Sequence, residues 1–225
     1  VDQVRRDFLS NVSHELRTPL AAIRALVETI ESGAVEPGEE TDAFLARVRQ
    51  QVDRLTLLVS ELLDLSRIES GAVELVPEPV DLSQLFAEAS SLMRHRLDAE
   101  ELRTEFDSGP MVVEGDRSAL LRVVCNLVDN AIKFSPRGGT IRASARDEGD
   151  LVAFEVRDEG PGIAESDLPR VFERFYKGDA SRANSGVGLG LAIVKHIVRA
   201  HGGTAAASSP PGAGAVFTVR LPRHF

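Results

Sequence analysis

A histidine stands beside a carboxylate in Ser13-His14-Glu15-Leu16-Arg17-Thr18-Pro19-Leu20, within a stretch whose apolar residues recur at helical spacing. At 100° per residue those apolar positions centre roughly opposite His14, so the imidazole is presented to solvent. Glu15 can accept the proton of one ring nitrogen and leave the other nucleophilic. Thr18 follows one turn on, on the same face. Pro19 removes the hydrogen bond to the Glu15 carbonyl and crowds it, at ~3 kcal/mol, and a kink just after the histidine is expected. A lone exposed histidine is more often merely solvated, and His95, His196, His201 and His224 are read that way.

Three further clusters suit a phosphorylated ligand. In Asn126-Leu127-Val128-Asp129-Asn130-Ala131-Ile132-Lys133-Phe134, the residues Asn126, Asn130 and Lys133 fall at i, i+4 and i+7 and line one polar stripe of a helix. Amide oxygens suit Mg²⁺, and an ammonium suits a phosphate; alone, such a stripe is more often a solvated face. Asp158-Glu159-Gly160-Pro161-Gly162 ends a predicted strand, and Gly186-Val187-Gly188-Leu189-Gly190 leads into a predicted helix, where backbone N–H groups can face an anion. No Gly-Lys-Ser/Thr follows, so this is not a Walker loop, and it lacks the strand and spacing of a dinucleotide turn. Val171-Phe172-Glu173-Arg174-Phe175-Tyr176-Lys177 puts aromatics into a polar loop, where they need an apolar seat.

These clusters require two kinds of scaffold. From Val1 to about Glu69 there is no strand-like alternation, and Ser32-Gly33 with Pro37-Gly38 is the one strong break. That pattern predicts a helical hairpin. Phe8, Val12, Leu16, Leu20, Ile23, Val27 and Ile30 stripe one arm; Phe44, Val48, Val52, Leu55, Val59, Leu62 and Leu65 stripe the other. Two helices enclose too little core, so pairing with a second copy into a four-helix bundle is expected. Beyond Gly71, past Pro77 and Pro79, short apolar runs predict strands near 73–76, 103–107, 111–114, 140–146, 151–157, 204–208 and 215–221. Helices are predicted near 82–98, with Asp81 as N-cap, 116–134 and 187–201. The fold class expected is an all-α hairpin at 1–70 followed by an α+β sandwich at 71–225. Residues 159–186 are read as a lid.

With 26 Lys and Arg against 35 Asp and Glu, the net charge of -9 repels a phosphate backbone, and nucleic acid is excluded as a partner. The single Cys125 excludes an intrachain disulfide and a cysteine zinc site. No window reaches the roughly 18 apolar residues of a membrane span, and no membrane contact is expected within these 225 residues. Val1 opens in what reads as running helix, so an upstream segment that could carry such a span is expected.

The blocks at His14, Asn130, Asp158-Gly160-Gly162, Phe172-Phe175 and Gly186-Gly188-Gly190 resemble, in order and rough spacing, the H, N, G1, F and G2 boxes of bacterial sensor histidine kinases. The resemblance covers essentially the whole chain. It implies that 1–70 is a dimerisation and histidine phosphotransfer domain and that 71–225 is the catalytic ATP-binding domain shared with gyrase-type and chaperone ATPases. His14 would be the phosphoacceptor and Glu15 its base. Asn130 would coordinate Mg²⁺ with Asn126 assisting, and Lys133 would contact phosphates. Asp158 would accept from the adenine amino group, and Gly160 and Gly162 would let the base approach the backbone. Gly186, Gly188 and Gly190 would hold the lid over the triphosphate. Lys177 stands where many members carry Arg.

The resemblance further implies a homodimer, a cognate response regulator as partner, and a cytoplasmic core tethered to the inner membrane by the upstream segment. Gly71 and Pro77-Pro79 are candidate hinges between the domains. Glu15 and Thr18 also fit a phosphatase toward the phosphorylated regulator, with Thr18 orienting water. The contrasting reading, a nucleotide-binding dimerisation scaffold without transfer, is opposed by intact His14, Asn130 and Gly186-Gly188-Gly190.

Overall fold

The computed structural model describes residues 2–34, 38–69, 75–107, 109–178 and 187–224, and it divides into two compact units, Val1–Ser66 and Arg67–Phe225. The expected boundary at 70/71 lies outside the described residues, as does Gly71.

The first unit is a pair of long helices, α1 (Asp2–Glu31) and α2 (Glu39–Glu69). Helix α1 continues through Pro19, which is buried. Glu15 and Arg54 lie nearly equidistant from the turn, and their ion pair at 4.0 Å is what antiparallel arms require. Leu58 and Leu65 are buried, whereas Leu20, Val27, Leu45, Val52, Leu57, Val59 and Leu63 are exposed. Much of the apolar surface of this hairpin therefore has no cover within the single chain. No helix among the described residues is long and apolar enough to cross a membrane.

The second unit holds β1 (Glu78–Asp81), α3 (Leu82–Leu92), α4 (Arg94–Ala99), β2 (Arg103–Phe106), β3 (Val112–Gly115), α5 (Arg117–Phe134), β4 (Thr140–Asp147), β5 (Leu151–Arg157), α6 (Gly190–Ala200), β6 (Thr204–Ser208) and β7 (Val216–Pro222). Five strands form one sheet in the order β2-β4-β5-β7-β6, with β2 parallel to β4 and the other pairs antiparallel. Alternation along β4, β5 and β7 sends Ile141, Ala143, Val152, Phe154, Val156, Phe217 and Val219 to a buried face. There they share the core with Leu82, Leu85 and Phe86 of α3, Leu120, Val124 and Leu127 of α5, and Ile193, Val194 and Ile197 of α6. The opposite face carries charge: Arg146 pairs with Glu155 at 2.6 Å and with Glu148 at 2.9 Å, and Arg220 with Glu148 at 2.8 Å. Helices on one face and water on the other make a two-layer α/β sandwich, as expected.

Three expectations are corrected. The first strand is Glu78–Asp81 rather than 73–76; residues 75–77 are not strand, and 73–74 lie outside the described residues. Pro79 sits inside β1 opposite Glu114, which is tolerable in a two-stranded sheet where one side of the strand needs no donor, and this removes Pro79 from the hinge. The predicted helix 82–98 breaks at Met93 into α3 and α4, without a proline or glycine to announce it. Asp81 does cap α3, accepting from Ser83 N–H at 2.8 Å.

The third correction is His201, which is 1% exposed rather than solvated. Its Nδ1–H donates to the Ile197 carbonyl at 2.8 Å, leaving Nε2 to accept the Asp116 N–H at 3.0 Å. Asp116 in turn caps α5, accepting from Ala119 N–H at 2.9 Å. One imidazole thus ties the C-terminus of α6 to the N-terminus of α5. His201→Phe should leave a buried donor unsatisfied and cost about 1–3 kcal/mol. The urea midpoint of the chain should fall, and His201→Gln, which keeps an acceptor, should recover part of the loss; an unchanged midpoint for both would reject the clip.

Candidate functional site

On the first unit, His14 is exposed on α1 and Glu15 is half-buried beside it. Thr18 is exposed one turn further, and its hydroxyl donates to the His14 carbonyl at 3.2 Å. That bond uses the hydroxyl proton within the helix and leaves the oxygen lone pairs available. Arg54 Nη2 reaches Glu15 Oε2 across the hairpin at 4.0 Å.

On the second unit, the sheet and α5 enclose a cavity of about 570 Å³. Helix α5 supplies one wall through Asn126, Asp129, Asn130, Lys133 and Phe134. All but Phe134 belong to the polar stripe of a helix whose other side, Leu120, Val124, Leu127, Val128 and Ala131, is core. The periodicity that buries one side forces the other toward the cavity. Asn126 donates its amide to the Arg122 carbonyl at 3.0 Å, which fixes its oxygen outward. A Cβ on Gly190 would stand 2.9 Å from that oxygen, so any other residue at the start of α6 would push the amide aside.

Asp158 forms the floor. It is 2% exposed, and its Oδ1 accepts from Gly160 N–H at 2.9 Å and Ala215 N–H at 3.0 Å. Those two bonds leave Oδ2 without a partner among the described residues and available to a ligand. Burial outweighs these two bonds and the neighbouring Arg157, and it pushes the Asp158 carboxyl above the usual carboxylate range. Glu159 next to it turns away: Arg142 at 2.7 Å and Thr140 N–H at 3.0 Å hold its carboxyl below that range.

Most of the anticipated residues converge. Asn126, Asn130, Lys133, Asp158, Gly162, Lys177, Gly188 and Gly190 all line the cavity. Gly160 does not; a Cβ there would approach the Phe134 carbonyl oxygen at 2.6 Å, so its smallness seats the turn against the end of α5. Gly186 lies outside the described residues, as do 179–185 of the expected lid. Gly188 adopts φ +82, and a Cβ would meet the Phe175 backbone at 2.9 Å. Phe175 N–H donates to the Gly188 carbonyl at 2.8 Å, and Phe172 packs edge-on against Phe217 with centroids 6.3 Å apart. The loop aromatics therefore have the apolar seat they need.

Sequence reasoning missed the apolar part of the cavity: Ile163, Ala164, Val171, Leu191, Ala215 and Phe217. Phe217 falls in the strand expected near 215–221, but a strand assignment by itself does not say which residues face this cavity. Tyr176 also lines it, with its hydroxyl donating to Asp167 at 2.7 Å. A mainly apolar cavity with one buried carboxylate acceptor, an amide pair, an ammonium and glycine-rich backbone suits a heteroaromatic ring joined to phosphates.

Residues 4–71 match the His Kinase A (phospho-acceptor) domain family, and residues 115–224 match the histidine kinase-, DNA gyrase B- and HSP90-like ATPase family. The chain is similar to the sensor-like histidine kinase SenX3 of Mycobacterium bovis, with 41% identity over 228 residues, covering 99% of this chain and 55% of the relative. It is similar to the signal transduction histidine-protein kinase/phosphatase MprB of Mycolicibacterium paratuberculosis, with 40% identity over 228 residues, covering 96% of this chain and 42% of the relative. The solved structure of Acinetobacter baumannii histidine kinase AdeS superposes with a TM-score of 0.79 at 30% identity, covering 93% of this chain and 98% of that one. The chain spans about half the length of the curated relatives it matches.

A carboxyl whose pKa is raised by folding destabilises the native state when ionised. Its contribution to stability is full below the unfolded carboxylate pKa and is lost as pH rises through the raised value. In Asp158→Asn the amide oxygen can still accept from Gly160 and Ala215 while the buried charge is gone. Near neutral pH the variant should match or exceed the wild type in urea unfolding, and the difference should close as pH falls through the carboxylate range. A deficit at neutral pH would show that the fold needs the ionised group.

Proposed function

The chain belongs to the bacterial sensor histidine kinases, and on that footing we propose that it is an ATP-dependent protein-histidine kinase core that phosphorylates His14 and passes the phosphoryl group to an aspartate of a response regulator. The observation that carries the reading is the cavity, where Asp158, Asn130, Lys133 and Gly188 meet from well-separated stretches of chain. In this reading Asp158 Oδ2 accepts from the adenine amino group, a charge-assisted contact that guanine could not make. Phe217, Ile163 and Leu191 give the base an apolar seat, and Lys133 with the backbone of Gly188 and Gly190 faces the phosphates.

The donor set suits Mg²⁺ brought in with the nucleotide. Asn130 and Asn126 offer neutral oxygens, and no group of three or more His, Cys, Asp or Glu that could hold a metal occurs among the described residues. Asn130, assisted by Asn126, would hold the ion, which when bound neutralises charge on the phosphate oxygens. The protein's own part is positioning and proton handling. A ring nitrogen of His14 attacks the γ-phosphorus, the N–P bond forms as the bond to the bridging oxygen breaks, and ADP leaves with that electron pair. The proton of the other ring nitrogen passes to Glu15, which Arg54 faces across the hairpin.

The exposed apolar residues of α1 and α2 support a homodimer in which a second hairpin covers them. The greater length of the relatives is compatible with an upstream segment that tethers this core to the inner membrane from the cytoplasmic side. A phosphatase activity is favoured by one observation: Thr18 stands exposed on the His14 face with its lone pairs free to orient water, and a relative carries both activities in its name.

A short incubation with γ-labelled ATP should label the wild type, with the label lost in acid and kept in alkali as a phosphoramidate is. His14→Gln should take no label while its ATP affinity stays within about twofold, because a solvated side chain of the first unit contributes little to the folding of the second, which holds the cavity. An acid-stable label would point to Ser or Thr and reject His14.

Thr18→Ala should leave autophosphorylation intact, since neither the imidazole lone pair nor Glu15 depends on the hydroxyl. Decay of the phosphorylated regulator, followed after ATP removal, should slow on the order of 10²-fold relative to the wild-type-stimulated rate, the usual penalty for losing a positioned reactant. Equal stimulation by both proteins would reject the phosphatase role.

A further inference from the structure

Asp129 immediately precedes Asn130 and lines the same cavity, yet a carboxylate there works against a triphosphate. Its two oxygens are divided between two cations. Oδ2 is paired with Lys133, one turn on along α5, and Oδ1 with Arg96, which α4 brings in from 33 residues earlier. Lys133 and Arg96 approach different oxygens of the one carboxyl, so the group is held between two cations. The ammonium that the ATP reading assigns to the phosphates is thus bound to an anion on its own helix. Arg96 is more exposed than either partner, at 46%, and does not line the cavity. With Arg96 the cluster carries a net positive charge; without it Asp129 and Lys133 cancel.

We propose that Arg96 is a positioning residue that frees Lys133 for the nucleotide by acting as the alternative counter-ion of Asp129. When the triphosphate arrives, Lys133 turns to it and Arg96 keeps Asp129 neutralised. Without Arg96, the same turn would leave Asp129 ionised, part-buried and unpaired, and that penalty would be charged against ATP binding. Adenosine, which makes no demand on Lys133, would not feel it. The inference rests on reading the cavity as the ATP site.

The test is a double-mutant cycle on the whole chain, read by calorimetric titration with ATP plus Mg²⁺ and, separately, with adenosine. Arg96→Gln should weaken ATP about five- to tenfold, within the range of coupling energies for charges sharing one network, and leave adenosine unchanged. Arg96→Lys should restore most of the loss. In an Asp129→Asn background Arg96→Gln should have less than about a twofold effect, because there is no carboxylate left to strand. If Asp129→Asn fails to fold, an Asp129→Ser background, which also removes the carboxylate, should give the same flat response and decides the question. Equal losses in all backgrounds, or a parallel loss for adenosine, would overturn the proposal and make Arg96 a direct contact or a structural prop. If the wild type bound no ATP at all, the site reading would fall and this inference with it; ATP binding with an Arg96 effect that ignores Asp129 would sink the inference alone.

Discussion

The second unit is organised around the burial of one carboxylate. Asp158 leaves β5 at the point where β7 begins, and its Oδ1 gathers the N–H groups of Gly160 and Ala215, while its own N–H donates to the Ala215 carbonyl at 3.0 Å. These bonds fix the turn after β5 and the approach to β7 in one stroke. They also require a backbone that no ordinary residue supplies: Gly214 sits at φ +71, where a Cβ would run into the Asp158 carbonyl. A buried charge held by only two N–H groups is a liability to an empty fold. A ligand donor meeting its free oxygen turns that liability into selectivity, because a partner lacking the donor would leave the charge unsatisfied.

Around that floor, α5 couples stability to chemistry by its geometry alone. Leu127, Val128 and Ala131 are buried on one side, and Asn126, Asn130 and Lys133 are carried to the cavity on the other. Rotating the helix to move one set would move both. Its N-terminus is set by Asp116, and Asp116 is bound to His201 at the end of α6, so two helices that both line the cavity are also clipped at their far ends. The clip makes the spacing between α5 and the start of α6 a property of the core rather than of a loop. Gly190 then lets the start of α6 lie close against the Asn126 side chain.

The first unit solves a different problem. His14 is exposed on a helix whose apolar stripe points elsewhere, which leaves its imidazole within reach of a reactant, as the proposed role as phosphoacceptor needs. The hairpin buries Leu58 and Leu65 but leaves Leu20, Val52, Leu57 and Leu63 open, and so the element that presents the histidine is also the one whose core is unfinished in a single chain. Reactivity and assembly thus occupy different faces of the same two helices.

What could be read from the amino-acid order was whatever depends on local periodicity and on residue chemistry. The 3.6-residue period gave both hairpin arms and the polar stripe of α5, short apolar runs gave the strands that became β4 to β7, and amide, carboxylate and glycine types marked Asn130, Asp158 and Gly188. Gly160 marked the right turn for a different reason, since it seats backbone on backbone instead of facing the cavity. Contacts between distant segments were not legible, because nothing local records which surface a side chain will meet. His201 looked like a solvated histidine until α6 ended against the cap of α5, 85 residues earlier. Arg96 was an unremarked charge until the break at Met93 set α4 beside α5, and Phe217 was one strand residue among several until β7 took its place beside β5. The sequence alone therefore determined the reactive groups and most of the elements, whereas the place of β1, the break at Met93, burial, pairing and the shape of the cavity were decided by tertiary packing, since each depends on contacts between residues whose separation along the chain carries no information about their distance in space.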